Sequence, residues 1–238
     1  MVTSPQAACQ PHTGHEVTMK HILLPLLMAL VLPCAPALAS EDISKVNGSI
    51  RATGGQVYGD LETVNGGITV DDGVVTREIQ TVNGSIQVGD RARTTGVSTV
   101  NGNLRLGREV VASGNVETVN GGIYIDRGSV VAGNLETVNG GIGLVETRLN
   151  GNIETVNGDI TVGVGSEVQG GIRVKKPNFN LSLTSSRKPR VIIGPKASVA
   201  GSLQFEREVT LYVHRSARIG PVTGAQPLAF DTDAAPQD

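Results

Sequence analysis

The chain has 238 residues, 39% hydrophobic but only 3% aromatic, with 31 Gly, 2 Cys, no Trp and a formal net charge of -2. Near balance between 20 basic and 22 acidic residues excludes a globally basic nucleic-acid binder and a polyacidic tail, and the apolar content excludes wholesale disorder. Three Tyr and three Phe are too few to fill a conventional core of this length, so another principle must organise the chain.

The N-terminal part of the chain reads as a targeting signal. Residues 22 to 32 form an apolar run preceded by Lys20 and His21 and followed by Ala37-Leu38-Ala39, a small-x-small cleavage pattern. Residues 19–39 therefore read as a secretory signal peptide that starts at Met19, cut after Ala39 to leave Ser40 as the mature N-terminus. Residues 1–18 read as an upstream extension of the open reading frame. Pro33 stands where a lipobox before Cys34 wants a small residue. The apolar run is shorter than the ~20 residues a spanning helix needs, so no membrane span is expected after cleavage. Beyond residue 39 there is no cysteine and a single histidine, His214, so neither disulfides nor thiolate zinc sites are expected.

Val-Asn-Gly then begins at Val46, Val64, Val82, Val100, Val119, Val138 and Val156, at spacings of 18 or 19 residues. A fixed period of this kind marks a stacked repeat. Within each unit, short alternating stretches such as Ile68-Thr69-Val70 and Ile86-Gln87-Val88 are punctuated by Asn-Gly or Asp/Gly turns, with no stretch at helical period. At about 3.3 Å per strand residue, 18 residues close a loop of three short sides that stacks on the next at about 4.8 Å. The predicted fold is all-β: a single-stranded parallel β-helix (solenoid) with ~18-residue coils over residues 42–225.

Stacking in register predicts three internal columns. They are Val64, Val82, Val100, Val119, Val138 and Val156; Ile68, Ile86, Leu104, Ile123, Ile142 and Ile160; and Val70, Val88, Leu106, Ile125, Leu144 and Val162. Asn65, Asn83, Asn101, Asn120, Asn139 and Asn157 are expected at a corner as a structural ladder of amides, with the following Gly free to take positive φ. The column Glu62, Gln80, Ser98, Glu117, Glu136 and Glu154 is expected to point into solvent, where it discourages lateral sheet association.

Residues 175–190 interrupt the pattern with two prolines and a cluster of positive charge, and read as a loop insertion between coils. Lys175, Lys176, Arg187, Lys188 and Arg190 are candidates for contact with an anionic surface. The solenoid resumes with Val191-Ile192-Ile193-Gly194-Pro195-Lys196-Ala197-Ser198-Val199-Ala200-Gly201-Ser202-Leu203 and runs to Ala217-Arg218-Ile219-Gly220-Pro221-Val222-Thr223-Gly224-Ala225. These stretches resemble the coils of bactofilins, polymer-forming bacterial cytoskeletal proteins, over residues 190–225. The resemblance implies a right-handed β-helix and a scaffolding role. The Thr-Val-Asn-Gly ladder and the export signal instead resemble exported, adhesin-like bacterial repeat proteins.

Little chemistry is visible. His214 stands alone and reads as a surface residue, and Asp71-Asp72 has no counterpart on neighbouring coils of the kind a calcium-binding solenoid needs, so it reads as a turn. No catalytic residue, metal ligand or cofactor is expected. The sequence predicts a non-catalytic structural or interaction protein of the bacterial envelope, periplasmic or at the cell surface, with a surface adhesin or glycan-binding β-helix protein as the alternative and a polysaccharide-acting enzyme ranked behind both. The partners it suggests are an envelope polymer or anionic surface and a second copy docked at the N-terminal edge, with no nucleic acid. Residues 226–238 are expected as a disordered tail that shields the other edge.

Overall fold

The computed structural model describes residues 40–177 and 187–234. The expected signal peptide, upstream extension and cleavage site, and the middle of the 175–190 loop, lie outside the described residues. Every regular element among the described residues is a β-strand.

The strands stack into three parallel sheets, here named faces A, B and C in the order in which the chain visits them. Faces A and B have ten strands each and face C seven. Face A begins with Glu41–Asn47, Tyr58–Asn65 and Glu78–Asn83 and carries the Thr-Val-Asn residues. Face B carries the Ile-x-Val triplets, such as Ile68–Val70 and Ile86–Val88. Face C is made of two-residue strands such as Val111–Ala112 and Val130–Val131. Each residue pairs with its equivalent one coil away: Glu62 with Gln80, Gln80 with Ser98, Ser98 with Glu117 and Glu117 with Glu136. The result is a parallel β-solenoid whose coils over the Val-Asn-Gly repeats are 18 or 19 residues long, and in which no coil buries its apolar side without its neighbours.

The two face B columns lie inside as expected: Ile68, Ile86, Leu104, Ile123, Ile142 and Ile160, and with them Val70, Val88, Leu106, Ile125, Leu144 and Val162, are buried. The third expected column is on the wrong side. Val64, Val82, Val100, Val119 and Val138 are 37–40% exposed. The inward residues of face A are instead Leu61, Ile79, Val97, Val116, Leu135 and Ile153, together with Thr63, Thr81, Thr99, Thr118, Thr137 and Thr155. Strand parity forces this. Side chains alternate sides, so once Leu61 points in, Glu62 points out, Thr63 in and Val64 out.

The buried threonines are satisfied hydroxyls. Thr63 Oγ1 donates to the Gly48 carbonyl at 3.0 Å, Thr81 to Gly66 at 2.9 Å, Thr99 to Gly84 at 3.0 Å, Thr118 to Gly102 at 3.1 Å and Thr137 to Gly121 at 3.0 Å. Each pairs a corner carbonyl that the sheet ladders leave over, and a bond of this kind contributes about 1 kcal/mol. Valine at that site would leave a buried carbonyl bare, so threonine takes the inner position and valine the outer.

The motif glycine also has a different reason from the one expected. Gly48 and Gly140 do have a positive φ, 111° and 158°, but Gly66, Gly84, Gly102 and Gly121 do not. A Cβ on any of these four would collide with the carbonyl of the equivalent glycine one coil earlier. Close approach of stacked backbones, rather than left-handed geometry, demands glycine there. The left-handed conformation is used at the corner between faces B and C, where Gly73, Arg91, Glu109, Gly128, Glu146, Gly165 and Lys196 have φ between 42° and 75°. The amides of Gly73, Arg91, Glu109, Gly128 and Glu146 each donate to a carbonyl of the following coil, which holds non-glycine residues in a conformation costing about 1–2 kcal/mol apiece.

Corner carboxylates and amides clamp successive coils in the same way. Asp72 Oδ1 accepts from the Asp90 amide and Asp90 Oδ1 from the Arg108 amide, each at 2.8 Å. Asn115 Oδ1 takes the Asn134 amide and Asn134 Oδ1 the Asn152 amide. Asp71 forms an ion pair with Arg51 at 2.8 Å, which accounts for both members of the Asp71-Asp72 turn.

At the C-terminal end the expected disordered tail gives way to structure over Pro227–Phe230, a tenth face B strand pairing in parallel with Thr210–His214. Apolar burial drives this: Phe230 is buried and its ring meets His214 edge-on, with centroids 5.1 Å apart. His214 is half-buried, and its Nδ1 lies 2.8 Å from Ser216 Oγ and accepts from the Ser216 amide. This histidine belongs to the end cap.

Candidate interaction surface

The outside of face A is built from columns that the coil repeat places one above another. Nearest the corner runs the asparagine ladder. Asn65 Nδ2 donates to Asn47 Oδ1, Asn83 to Asn65, Asn101 to Asn83, Asn120 to Asn101, Asn139 to Asn120 and Asn157 to Asn139, all at 2.9–3.0 Å. Every bond points the same way, so the amide dipoles add. The ladder engages the side-chain amides with one another along the stack.

Beside it lies the exposed valine column, and beyond that Glu62, Gln80, Ser98, Glu117, Glu136 and Glu154. Together they line a shallow open groove of about 590 Å³ that follows the stack from Ser44 to Lys175. The two columns differ in one respect. The charged column varies among Glu, Gln and Ser, whereas the other is valine in every unit. A β-branched residue suits a half-buried pleated site, and threonine would meet that need in water equally well.

The groove is acidic. Burial, reinforced by the nearby Glu117 and Glu154 carboxylates, raises the Glu136 carboxyl above its ordinary range against the pull of Lys175 and Asn134. Burial likewise raises Glu78, helped by Asp60 and Glu117. Glu154 is neutralised by Lys175 and lies 3.7 Å from Arg173, while Asn115 Nδ2 donates to Glu117 at 2.8 Å. Lys45, at the other end, donates to the Ser49 carbonyl. No cation pairs with Glu62, Glu78, Glu117 or Glu136 among the described residues.

The basic residues named around the 175–190 loop turn to several partners, two of them meeting at Asp159. Lys175 turns to Glu154 on face A, Arg187 pairs with Asp159 at 2.7 Å and Lys188 with Glu208 at 3.0 Å. The Lys176 amide donates to Glu206, the Arg190 amide donates to Asp159, and the Arg190 guanidinium lies over the Tyr212 ring at 5.4 Å. At least three of the five charges are thus balanced locally.

Face B carries a second concavity, of about 620 Å³, which the sequence reading missed. Arg105 lies over the Tyr124 ring at 4.8 Å, and Gly143, in the next coil, leaves the rung beside that ring without a side chain. Gln87, Asn103, Asp159 and Thr161 contribute polar groups to its lining. The available signal was Tyr124 itself, an aromatic at the outward middle position of an Ile-x-Ile triplet.

The described chain is a parallel β-solenoid whose repeated outer face combines an apolar stripe with an acidic one. No family profile, curated protein or solved structure matches it.

Proposed function

We propose that the protein is a non-catalytic structural or interaction scaffold of the bacterial cell envelope, acting through the outside of face A. The observation that carries this reading is the valine column. In the Thr-Val-Asn-Gly unit, threonine pairs a carbonyl, asparagine builds the ladder and glycine allows close stacking, yet valine, repeated as strictly, stays 37–40% exposed on coil after coil. A rigid stack that repeats one exposed apolar residue along its length presents a surface suited to an extended partner. The apolar run before Ala37-Leu38-Ala39 supports export, and the bactofilin-like wording of residues 190–225 supports a scaffolding role. Self-association through the N-terminal edge belongs to this reading.

Face B supports a second reading, a surface glycan-binding protein. An aromatic ring flanked by amides, hydroxyls and a carboxylate offers an apolar face and hydrogen bonds to a sugar ring. Fractionation of cells expressing wild-type protein or a Val100→Asp/Val119→Asp variant separates the two. Envelope retention in the periplasm that is lost in the face A variant supports the scaffold. Exposure to added protease with retention unchanged by that variant, but lost in Tyr124→Ala, supports the glycan reading.

A further inference from the structure

We infer that the face A groove binds an extended basic polypeptide segment carrying lysine and aliphatic side chains; the inference rests on the interaction-scaffold reading and names its occupant. The valine column offers apolar contact along the stack at intervals of about 4.8 Å. The parallel column places Glu117 and Glu136 on successive coils as direct ladder partners, and a cation laid between two like charges that close is attracted to both.

Charge complementarity excludes the other occupants. An anionic polymer or lipid surface laid in the groove meets like charge from Glu62, Glu117 and Glu136. A second copy docked face to face along a two-fold axis across the stack brings one acidic column onto the other. The conformation of the partner follows from the backbone of face A, whose strands pair on both sides throughout the middle of the sheet. The groove offers no free strand edge, so the partner cannot add as a β-strand and must bind by its side chains. A polyproline II segment, which needs no backbone hydrogen bonds and is pre-ordered, meets that condition.

The test is fluorescence anisotropy with the mature protein and three labelled peptides, (Lys-Pro-Val)4, (Ser-Pro-Val)4 and (Lys-Pro-Ser)4, at two salt concentrations. (Lys-Pro-Val)4 is expected to bind, at least about tenfold more tightly than either control, a difference of about 1.4 kcal/mol. A Glu117→Gln/Glu136→Gln variant and a Val100→Ser/Val119→Ser/Val138→Ser variant, each checked for folding by circular dichroism, are each expected to lose that advantage. Equal binding of (Lys-Pro-Ser)4 overturns the inference in favour of unspecific electrostatics. Unchanged binding by either variant overturns it by placing the peptide elsewhere, and a face A dimer detected by light scattering overturns it in favour of a second copy. If (Lys-Pro-Val)4 fails to bind while the valine variant still loses envelope retention in cells, the occupant is wrong and the scaffold reading stands. If retention is unchanged in that variant, face A itself is not the working surface.

Discussion

Arg207 Nη1 donates to Asn157 Oδ1 at 2.6 Å and to the Val156 carbonyl at 3.1 Å, across 50 and 51 residues of sequence. Asn157 is the last rung of a ladder in which each Nδ2 points back toward the N-terminus, so its Oδ1 is the negative end of a line of aligned amide dipoles. A guanidinium at that end is the electrostatic counterpart of a cation at a helix C-terminus. It also shields Val156, which is half-buried where its equivalents are exposed.

Replacing Arg207 with Leu keeps apolar cover over Val156 but removes the charge and both hydrogen bonds. The expected cost is about 1 kcal/mol in urea-induced unfolding. Hydrogen exchange should quicken around residues 156–158 and stay unchanged at Asn65. Uniform acceleration along the stack would contradict an end-capping role.

Asn120 sits inside the ladder and makes two of its bonds, to Asn101 and from Asn139. Asn120→Ala should destabilise by about 1 kcal/mol, because the amides it releases are exposed and recover water. Calorimetry of this variant beside Asn157→Ala tests whether the interior rung matters more than the end one.

The outside of face A and the interior of the stack are separable by one pair of substitutions. Val119→Asp places its carboxylate in solvent and should cost less than about 1 kcal/mol. Ile123→Asp buries a charge with no partner and should prevent folding, at several kcal/mol. Thr118→Val, which strips the Gly102 carbonyl of its hydroxyl partner, should fall between them at about 1 kcal/mol. A Val119→Asp variant as unstable as Ile123→Asp would return the valine column to the interior.

Glu136 carries a pH dependence of known sign. Its folded-state carboxyl binds the proton more tightly than the unfolded chain's, whose ordinary value is 4.5, so the folded protein holds more protons from about that pH up to the raised value. Stability from this group therefore falls as pH rises through that window. Asp60, held down by Arg77 and the Glu78 amide, and Asp90, held down by Arg108, act oppositely: their contribution is present above 3.8 and is lost as pH falls through their lowered values. Glu136→Gln should gain stability relative to wild type near neutral pH and lose that gain in acid, as followed by melting temperature against pH.

The last strand closes the stack through Phe230. Phe230→Ala should cost about 3 kcal/mol, and removal of residues 226–238 should bare the Thr210–His214 strand edge and increase self-association, as seen by light scattering. A truncated chain that stays monomeric and equally stable would show that this strand adds nothing to the end.

The period of Val-Asn-Gly was enough, without coordinates, to determine the solenoid, its coil length, the amide column and both inner columns of face B. A repeat of 18 or 19 residues with strand punctuation leaves no other way to bury so many aliphatic side chains without helices or aromatic rings. Which side of face A each residue takes could not be read that way. Leu61 and Val64 are both apolar and three positions apart, so they cannot share a side of one unbroken strand. Hydropathy favours neither, and an exposed valine and a buried threonine both run against it. The choice was made between coils, by the threonine hydroxyl that reaches a glycine carbonyl one turn away. Arg207 at the end of the ladder, Phe230 under the last coil and the glycine forced by stacked carbonyls are decisions of the same kind. Each depends on atoms that the chain brings together only once it has wound on itself.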